Sequence, residues 1–198
     1  MRKITINLAA VAAFCIVVAS PALVSSSCAT PKTEQEDTTI IREDSGITAL
    51  KYSSPEVPSS IEFCGKVIDL SRFDRHERMD RELLAFTYMH STSLQMLKKA
   101  NRYFPIVEPI LKENGIPDDF KYLMVIESNM NPTARSSAGA AGLWQFMQGT
   151  GRDYGLEVNN NVDERYHIEK ATRAACRYLK DAYAKYKDWV AVAASYNA

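Results

Sequence analysis

Glu127 is the residue of this sequence whose surroundings most nearly ask for chemistry. It closes the run Phe120-Lys121-Tyr122-Leu123-Met124-Val125-Ile126-Glu127-Ser128, which Pro117-Asp118-Asp119 opens. Acids in a first turn behind a proline predict a helix start. At about 100° per residue, Phe120, Leu123, Met124 and Glu127 share one face. Tyr122, Val125 and Ile126 make the opposite side apolar too, so beyond Lys121 the helix has almost no wet face and reads as a core element. A carboxyl group there is desolvated, and it sits in the last turn, where the helix dipole disfavours negative charge. Both effects favour its protonated form. A carboxylic acid that is neutral near neutral pH is what general acid catalysis needs. The competing reading is a solvated or ion-paired glutamate, since structural ion pairs also shift proton affinities.

Two further segments carry groups that can act on a bound molecule. Asn131-Pro132 leads into Ser136-Ser137-Ala138-Gly139-Ala140-Ala141-Gly142-Leu143-Trp144-Gln145-Phe146-Met147, and Ala194-Ser195-Tyr196-Asn197-Ala198 ends the chain as given. Gly139 and Gly142 permit tight turns and close approach of another chain. Trp144 and Phe146 present flat faces that suit either the core or a ligand ring. Tyr196 brings a phenol, which reads equally as a core tyrosine with a satisfied hydroxyl. No second carboxylate lies within these segments. Asp153, Asp163 and Glu164 read as turn, cap or surface residues. His76, His90 and His167 have no ligand-like spacing to one another or to cysteine, so no metal and no cofactor is expected.

The elements that must position these groups are mostly helices. Asp80 to about His90 and Thr92 to about Tyr103 form amphipathic segments, the second with Leu94, Leu97 and Tyr103 in helical phase. Pro105 suits the first turn of a following helix and Gly115 its end. Ile168, Thr172, Ala175, Leu179, Tyr183 and Tyr186 recur at three and four residues, a long amphipathic helix. Asp188 caps a last segment from Trp189 to Ala194. Strand-like alternation is scarce. The 198 residues hold 24 Lys and Arg against 24 Asp and Glu, so no charge excess argues for a nucleic-acid partner. With 46% apolar and 24% charged residues the chain is neither disordered as a whole nor a multi-span membrane protein.

The N-terminus reads as an address. Basic Met1-Arg2-Lys3, an apolar centre from Leu8 to Val18 and small residues at Ser25-Ser26-Ser27 form a secretory signal over residues 1–27. A retained anchor is the other reading, weakened by Pro21 and the serines. Cys28 follows the small-residue exit and resembles the acylated cysteine of bacterial lipoproteins, although Ser25 stands where a leucine-like residue is usual. Acylation there would tether the protein to the outer membrane. Ordinary cleavage near the same serines is the alternative. Either way the chain is exported, with a periplasmic location expected. Residues 28–60, rich in proline, serine and threonine, form a linker. Residues 61–96 are expected to be an N-terminal helical extension and 97–198 the main domain. In an oxidising compartment Cys64 and Cys176 either pair or, with Cys176 on a helix core face, stay as free thiols.

Taken in order, Glu127-Ser128, Gly142-Leu143-Trp144-Gln145 and Ala194-Ser195-Tyr196-Asn197 resemble the catalytic domain of the soluble lytic transglycosylases, in particular its membrane-bound type D branch, over about Leu97 to Ala198. The resemblance implies a mainly α, lysozyme-like fold of the goose-type lysozyme and transglycosylase kind. It implies cleavage of the β-1,4 bond between N-acetylmuramic acid and N-acetylglucosamine of peptidoglycan without water, leaving a 1,6-anhydromuramic end. Peptidoglycan glycan strands become the expected partner. Glu127 becomes the sole catalytic acid and then base, Ser136 orients catalytic or substrate groups, Gln145 and Tyr196 position the saccharide, and Asn197 braces the site. Trp144 joins them as a candidate sugar-facing ring. Ordinary glycosidases use two carboxylates. One suffices if the 6-hydroxyl of the same sugar, at high effective concentration, replaces water. The family pattern continues past Ala198, so domain 97–198 is expected to be C-terminally incomplete. Two other readings stay open: a hydrolytic muramidase of goose-lysozyme type, and a non-catalytic glycan-binding envelope protein.

Overall fold

The computed structural model describes residues 55–196. The leader 1–27, Cys28, most of the linker 28–60, and Asn197 lie outside the described residues.

The segment expected to open as a helical extension at residue 61 opens instead as a β-hairpin, β1 (Ser60–Phe63) and β2 (Lys66–Asp69), paired antiparallel with Phe63 opposite Lys66. Its two-residue loop, Cys64-Gly65, has φ of 52° and 76°. That is the primed turn whose twist matches paired strands. Ile61 and Phe63, spaced by two, turn inward; Phe63 is 1% exposed. Four-residue strands give too little alternation to stand out from the polar linker before them. Helix α1 (Phe73–Tyr88) follows and closes a small cluster of Leu70, Met79 and Leu83 over the hairpin.

Helix α2 runs unbroken from His90 to Glu113, through Pro105 and Pro109. Sequence reasoning ended one helix near Tyr103 and began another at Pro105. A proline inside a helix removes a hydrogen bond and crowds the preceding turn, at about 3 kcal/mol or more. Here both prolines lie four residues apart on the exposed side, where water can serve the freed carbonyls, while Tyr103, Phe104, Val107, Ile110 and Leu111 continue one buried stripe past them. Upstream the stripe is Ser93, Met96 and Ala100; Leu94, read as part of it, is 59% exposed. The expected boundary at 96/97 therefore falls inside α2. The helix ends as expected at Gly115: the Gly115 and Ile116 amides donate to the Lys112 and Leu111 carbonyls, a left-handed cap with Ile116 buried.

A 3-10 turn (Asp118–Phe120) leads into α3 (Lys121–Ser128). After a long loop come α4 (Gln148–Asp153), a second 3-10 turn (Glu164–Tyr166), α5 (Ile168–Tyr186) and α6 (Trp189–Ser195). The expected Asp188 cap forms, its carboxylate accepting from the Val190 amide at 3.1 Å. α5 packs along α2 and buries Ala171, Ala174 and Ala175, small side chains that permit close approach, together with Leu179. Tyr186, placed on that face by periodicity, is 40% exposed. One main core joins α2, α3, the loop, α5 and α6. The architecture is mainly α and fits the lysozyme-like class. Cys64 and Cys176 are not bridged to one another. Among the described residues no helix is long and apolar enough to cross a membrane.

Candidate active site

α3 is as dry as its sequence demands: Tyr122, Leu123, Met124 and Val125 are buried. Lys121, its one basic residue, is satisfied by Glu108 at 2.7 Å and by Asp118, and lies over the Phe104 ring. Two successive left-handed residues, Asn129 (φ 50°) and Met130 (φ 51°), stop the helix. Ser128 turns its hydroxyl back to the Met124 carbonyl at 2.9 Å. Lys99, on α2, donates to the Asn129 carbonyl at 3.1 Å, placing a cation at the negative end of α3. Glu127 is thereby held on the last turn, half-buried, with its Oε1 buried.

The glycine-rich loop is a compact knot. The Ser136 amide donates to the Ala140 carbonyl at 2.9 Å, Ala141 to Phe146 at 3.0 Å, and Gly142 to Ala134 at 2.9 Å. The Ser136 hydroxyl accepts from the Ala140 amide at 3.0 Å, so this residue shapes the loop from within. Gln145 sits at φ 48°, a left-handed conformation that costs a non-glycine residue about 1–2 kcal/mol. Its side-chain amide nitrogen donates to the carbonyls of Gly142 (2.7 Å) and Ala134 (3.3 Å). Both partners are acceptors, which settles the amide's orientation and leaves its oxygen facing the other way.

Trp144 is corrected by the structure. It is fully buried, and its indole N–H donates to Thr172 on α5 at 3.0 Å. Its ring belongs to the core and has no face for a sugar. What Trp144 contributes to the site is its main-chain carbonyl, which accepts the Tyr196 hydroxyl at 3.0 Å.

That bond draws the three motifs together. Tyr196, just past α6, is held edge-on by the Tyr178 ring at 5.2 Å. Its phenol is pushed well above the ordinary tyrosine range, first by burial and next by the charge of Glu127. The Glu127 helix, the Trp144-Gln145 loop and the Tyr196 segment, separate in sequence, thus meet at one place. Ser136 and Gln145 belong to the loop whose Trp144 carbonyl takes part in that meeting, and Asn197 is outside the described residues.

Sequence reasoning missed Arg165. Only 4% exposed, it spans Asp163 with Nε at 2.9 Å and Nη2 at 2.7 Å, and its Nη1 donates to the carbonyls of Gly139 (2.8 Å) and Phe146 (3.0 Å). The charged triplet Asp163-Glu164-Arg165 looks like a solvated turn, and no local signal marks the arginine as buried. Tyr178 was missed for a similar reason, since its place on α5 falls between the small core residues and the exposed edge. The nearby carboxylates are committed: Asp163 to Arg165, and Glu164 to Lys170 and the Glu157 amide. A cleft of about 840 Å³ beside Pro105, Glu108, Lys112 and Ile116 contains none of the nominated residues. Among the described residues no three His, Cys, Asp or Glu side chains gather into a set able to hold a metal ion.

Comparison with known proteins adds independent information. Residues 105–198 match the family described as Transglycosylase SLT domain. The chain is 31% identical over 122 residues to the membrane-bound lytic murein transglycosylase D of Escherichia coli (strain K12), an alignment covering 61% of this chain and 26% of that protein. The protein of the same name from Escherichia coli O6:H1 gives the same values. A putative tributyltin chloride resistance protein of Alteromonas sp. (strain M-1) is 22% identical over 111 residues, 56% of this chain and 54% of that protein. The chain thus spans about a quarter of the length of the two murein transglycosylases it matches.

Proposed function

From the match of residues 105–198 to the transglycosylase SLT domain family, we propose that this chain is a peptidoglycan lytic transglycosylase with Glu127 as its one catalytic carboxyl group. It is a lyase that cuts the β-1,4 bond between N-acetylmuramic acid and N-acetylglucosamine, in cell-wall remodelling or turnover. The observation that carries this reading is the convergence of α3, the Trp144-Gln145 loop and Tyr196 on a partly buried glutamate.

The steps follow from the groups present. Glu127, in its protonated form, gives its proton to the bridging oxygen as the glycosidic bond breaks. The carboxylate so formed takes the proton of the 6-hydroxyl on the same muramic residue. That oxygen closes on C1, giving the 1,6-anhydro end with no water consumed. The ring closure is intramolecular, and an effective concentration far above that of a free alcohol supplies its advantage. Tyr196, its hydroxyl proton engaged by Trp144, presents the oxygen lone pairs of a neutral phenol to the substrate. The side-chain oxygen of Gln145 is a second acceptor, and Ser136 and Asn197 complete the saccharide contacts. The residues 1–27 direct export, Cys28 is the site of lipid attachment, residues 28–60 are the tether, and the hairpin with α1 extends a catalytic domain that begins with α2. This places the enzyme in the periplasm against the outer membrane.

Digestion of purified sacculi followed by mass spectrometry of the muropeptides tests the reaction. The expected products carry anhydro ends, lighter by one water than reducing ends. Glu127→Gln should lose activity by about 10³-fold or more while sacculus binding survives. Reducing ends alone would establish a hydrolytic muramidase instead, and binding without release from the parent would establish a glycan-binding envelope protein. Fatty-acid labelling that persists after Cys28→Ala would remove Cys28 as the attachment site, and no labelling of the parent would remove the anchor.

A further inference from the structure

We propose that Arg165 is a positioning residue of this reaction: it pins the loop at Gly139 and Phe146, so that the Gln145 amide and the Trp144 carbonyl between those points are held toward Glu127. The inference rests on the activity proposed above and deepens it. Neither Arg165 nor its partner Asp163 lies in the three segments that identify the family.

The geometry points to a clamp and not to an incidental ion pair. All three guanidinium nitrogens are committed, two to the Asp163 carboxylate and one to two main-chain carbonyls of the loop. Asp163 is aimed in turn by accepting the Arg165 amide at 3.2 Å. The loop also rests on the backbone of Arg165: a Cβ added at Gly142 would meet the Arg165 carbonyl oxygen at 1.9 Å. The Phe146 carbonyl that Arg165 holds also accepts the Ala141 amide. It directly follows Gln145, the residue forced into a left-handed backbone. A strained residue keeps such a conformation only where its surroundings over-determine it. Here two donors on the next carbonyl and the two bonds of its own side-chain nitrogen do so. Lysine cannot substitute, because one ammonium has no planar fork to face a carboxylate and two carbonyls together.

The test is a double-mutant cycle in the full chain, reading release of anhydro-ended muropeptides from sacculi. Arg165→Lys should lower kcat on the order of 10²-fold through misplacement of the loop, with KM changed far less. In a Gln145→Ala background the same substitution should cost clearly less, because one of the two groups it acts through is already gone. An equal loss in both backgrounds overturns the proposal. Gly142→Ala, which disturbs the same contact with Arg165 intact, should show the same dependence on Gln145. Hydrogen exchange gives a readout that needs no turnover: Arg165→Lys should strip protection from the Ser136, Gly139, Ala141 and Gly142 amides while α5 keeps its own. If the parent releases nothing from sacculi, the activity reading fails. Exchange then decides the clamp alone, and unchanged loop protection overturns it.

Discussion

A single hydroxyl, that of Tyr196, ties the last described segment to the loop. Its proton goes to the Trp144 carbonyl, and its half-buried ring packs edge-on against Tyr178, within electrostatic reach of Glu127. Burial and the neighbouring acid hold the phenol neutral past the pH at which free tyrosines ionise, so it remains a donor beyond that point. Tyr196→Phe keeps the ring and deletes the bond. Its expected effect is a lower melting temperature, by about 1–3 kcal/mol of stability for the carbonyl left without that donor. Cleavage of sacculi should slow at least about tenfold, the equivalent of 1.4 kcal/mol in the barrier. Unchanged turnover would reduce Tyr196 to a packing residue. By contrast Trp144→Phe should cost stability through the lost Thr172 bond and leave substrate affinity nearly intact, because only the main chain of residue 144 reaches the site.

Among the elements, turns discriminate more sharply than helices. Gly65 and Gly142 both have positive φ, 76° and 78°, but their surroundings differ. A Cβ at Gly65 meets nothing within 4 Å, while one at Gly142 meets the Arg165 carbonyl. Gly65→Ala should therefore cost only the backbone term, about 1–2 kcal/mol. Gly142→Ala adds a backbone collision that no side-chain rotation relieves, and its loss in chemical denaturation should be at least twice as large. Equal losses would mean that the loop does not rest on the 3-10 turn. Much at this scale was legible beforehand. The Pro117 start of the α3 region, the Gly115 stop, the Asp188 cap and the long α5 follow from neighbours within four residues, which is the range over which capping and helical periodicity act. The hairpin and the continuity of α2 were not legible. A four-residue strand alternates too briefly, and whether a proline breaks a helix depends on which side of it is wet.

For the molecule as a whole, the pH response follows from where its ionisable groups ended up. Cys176 is buried between α5 and α2, and desolvation pushes its thiol up to about 11. Its folded value lies above the unfolded one, so this stabilisation is complete below about pH 9 and is lost as pH climbs through 11. Asp163 moves the other way, held below the usual carboxylate range first by its bonds to Arg165. Its contribution is present at neutral pH and lost as pH falls below about 4, through the depressed value. Melting temperature should thus fall on both sides, and Asp163→Asn should flatten the acid limb in particular. Peptide mapping after native alkylation should find half-buried Cys64 labelled and Cys176 labelled only on unfolding. Labelling of Cys176 in the native state would contradict the packing of α5 on α2.

Periodicity, caps and the order of three short motifs were enough to read from the sequence a mainly α domain, its resemblance to the transglycosylase SLT domain family, and Glu127 at the end of an apolar helix. These properties are set by residue type at short spacing, and they survive any change in how the helices pack. The tertiary structure alone decided that the Trp144 ring is core, that Tyr196 closes on a carbonyl 52 residues away, and that a surface-looking arginine is the buried clamp of the loop. Burial and long-range hydrogen bonds depend on what distant segments bring to the same place, and a residue's own neighbours in the chain carry no record of that.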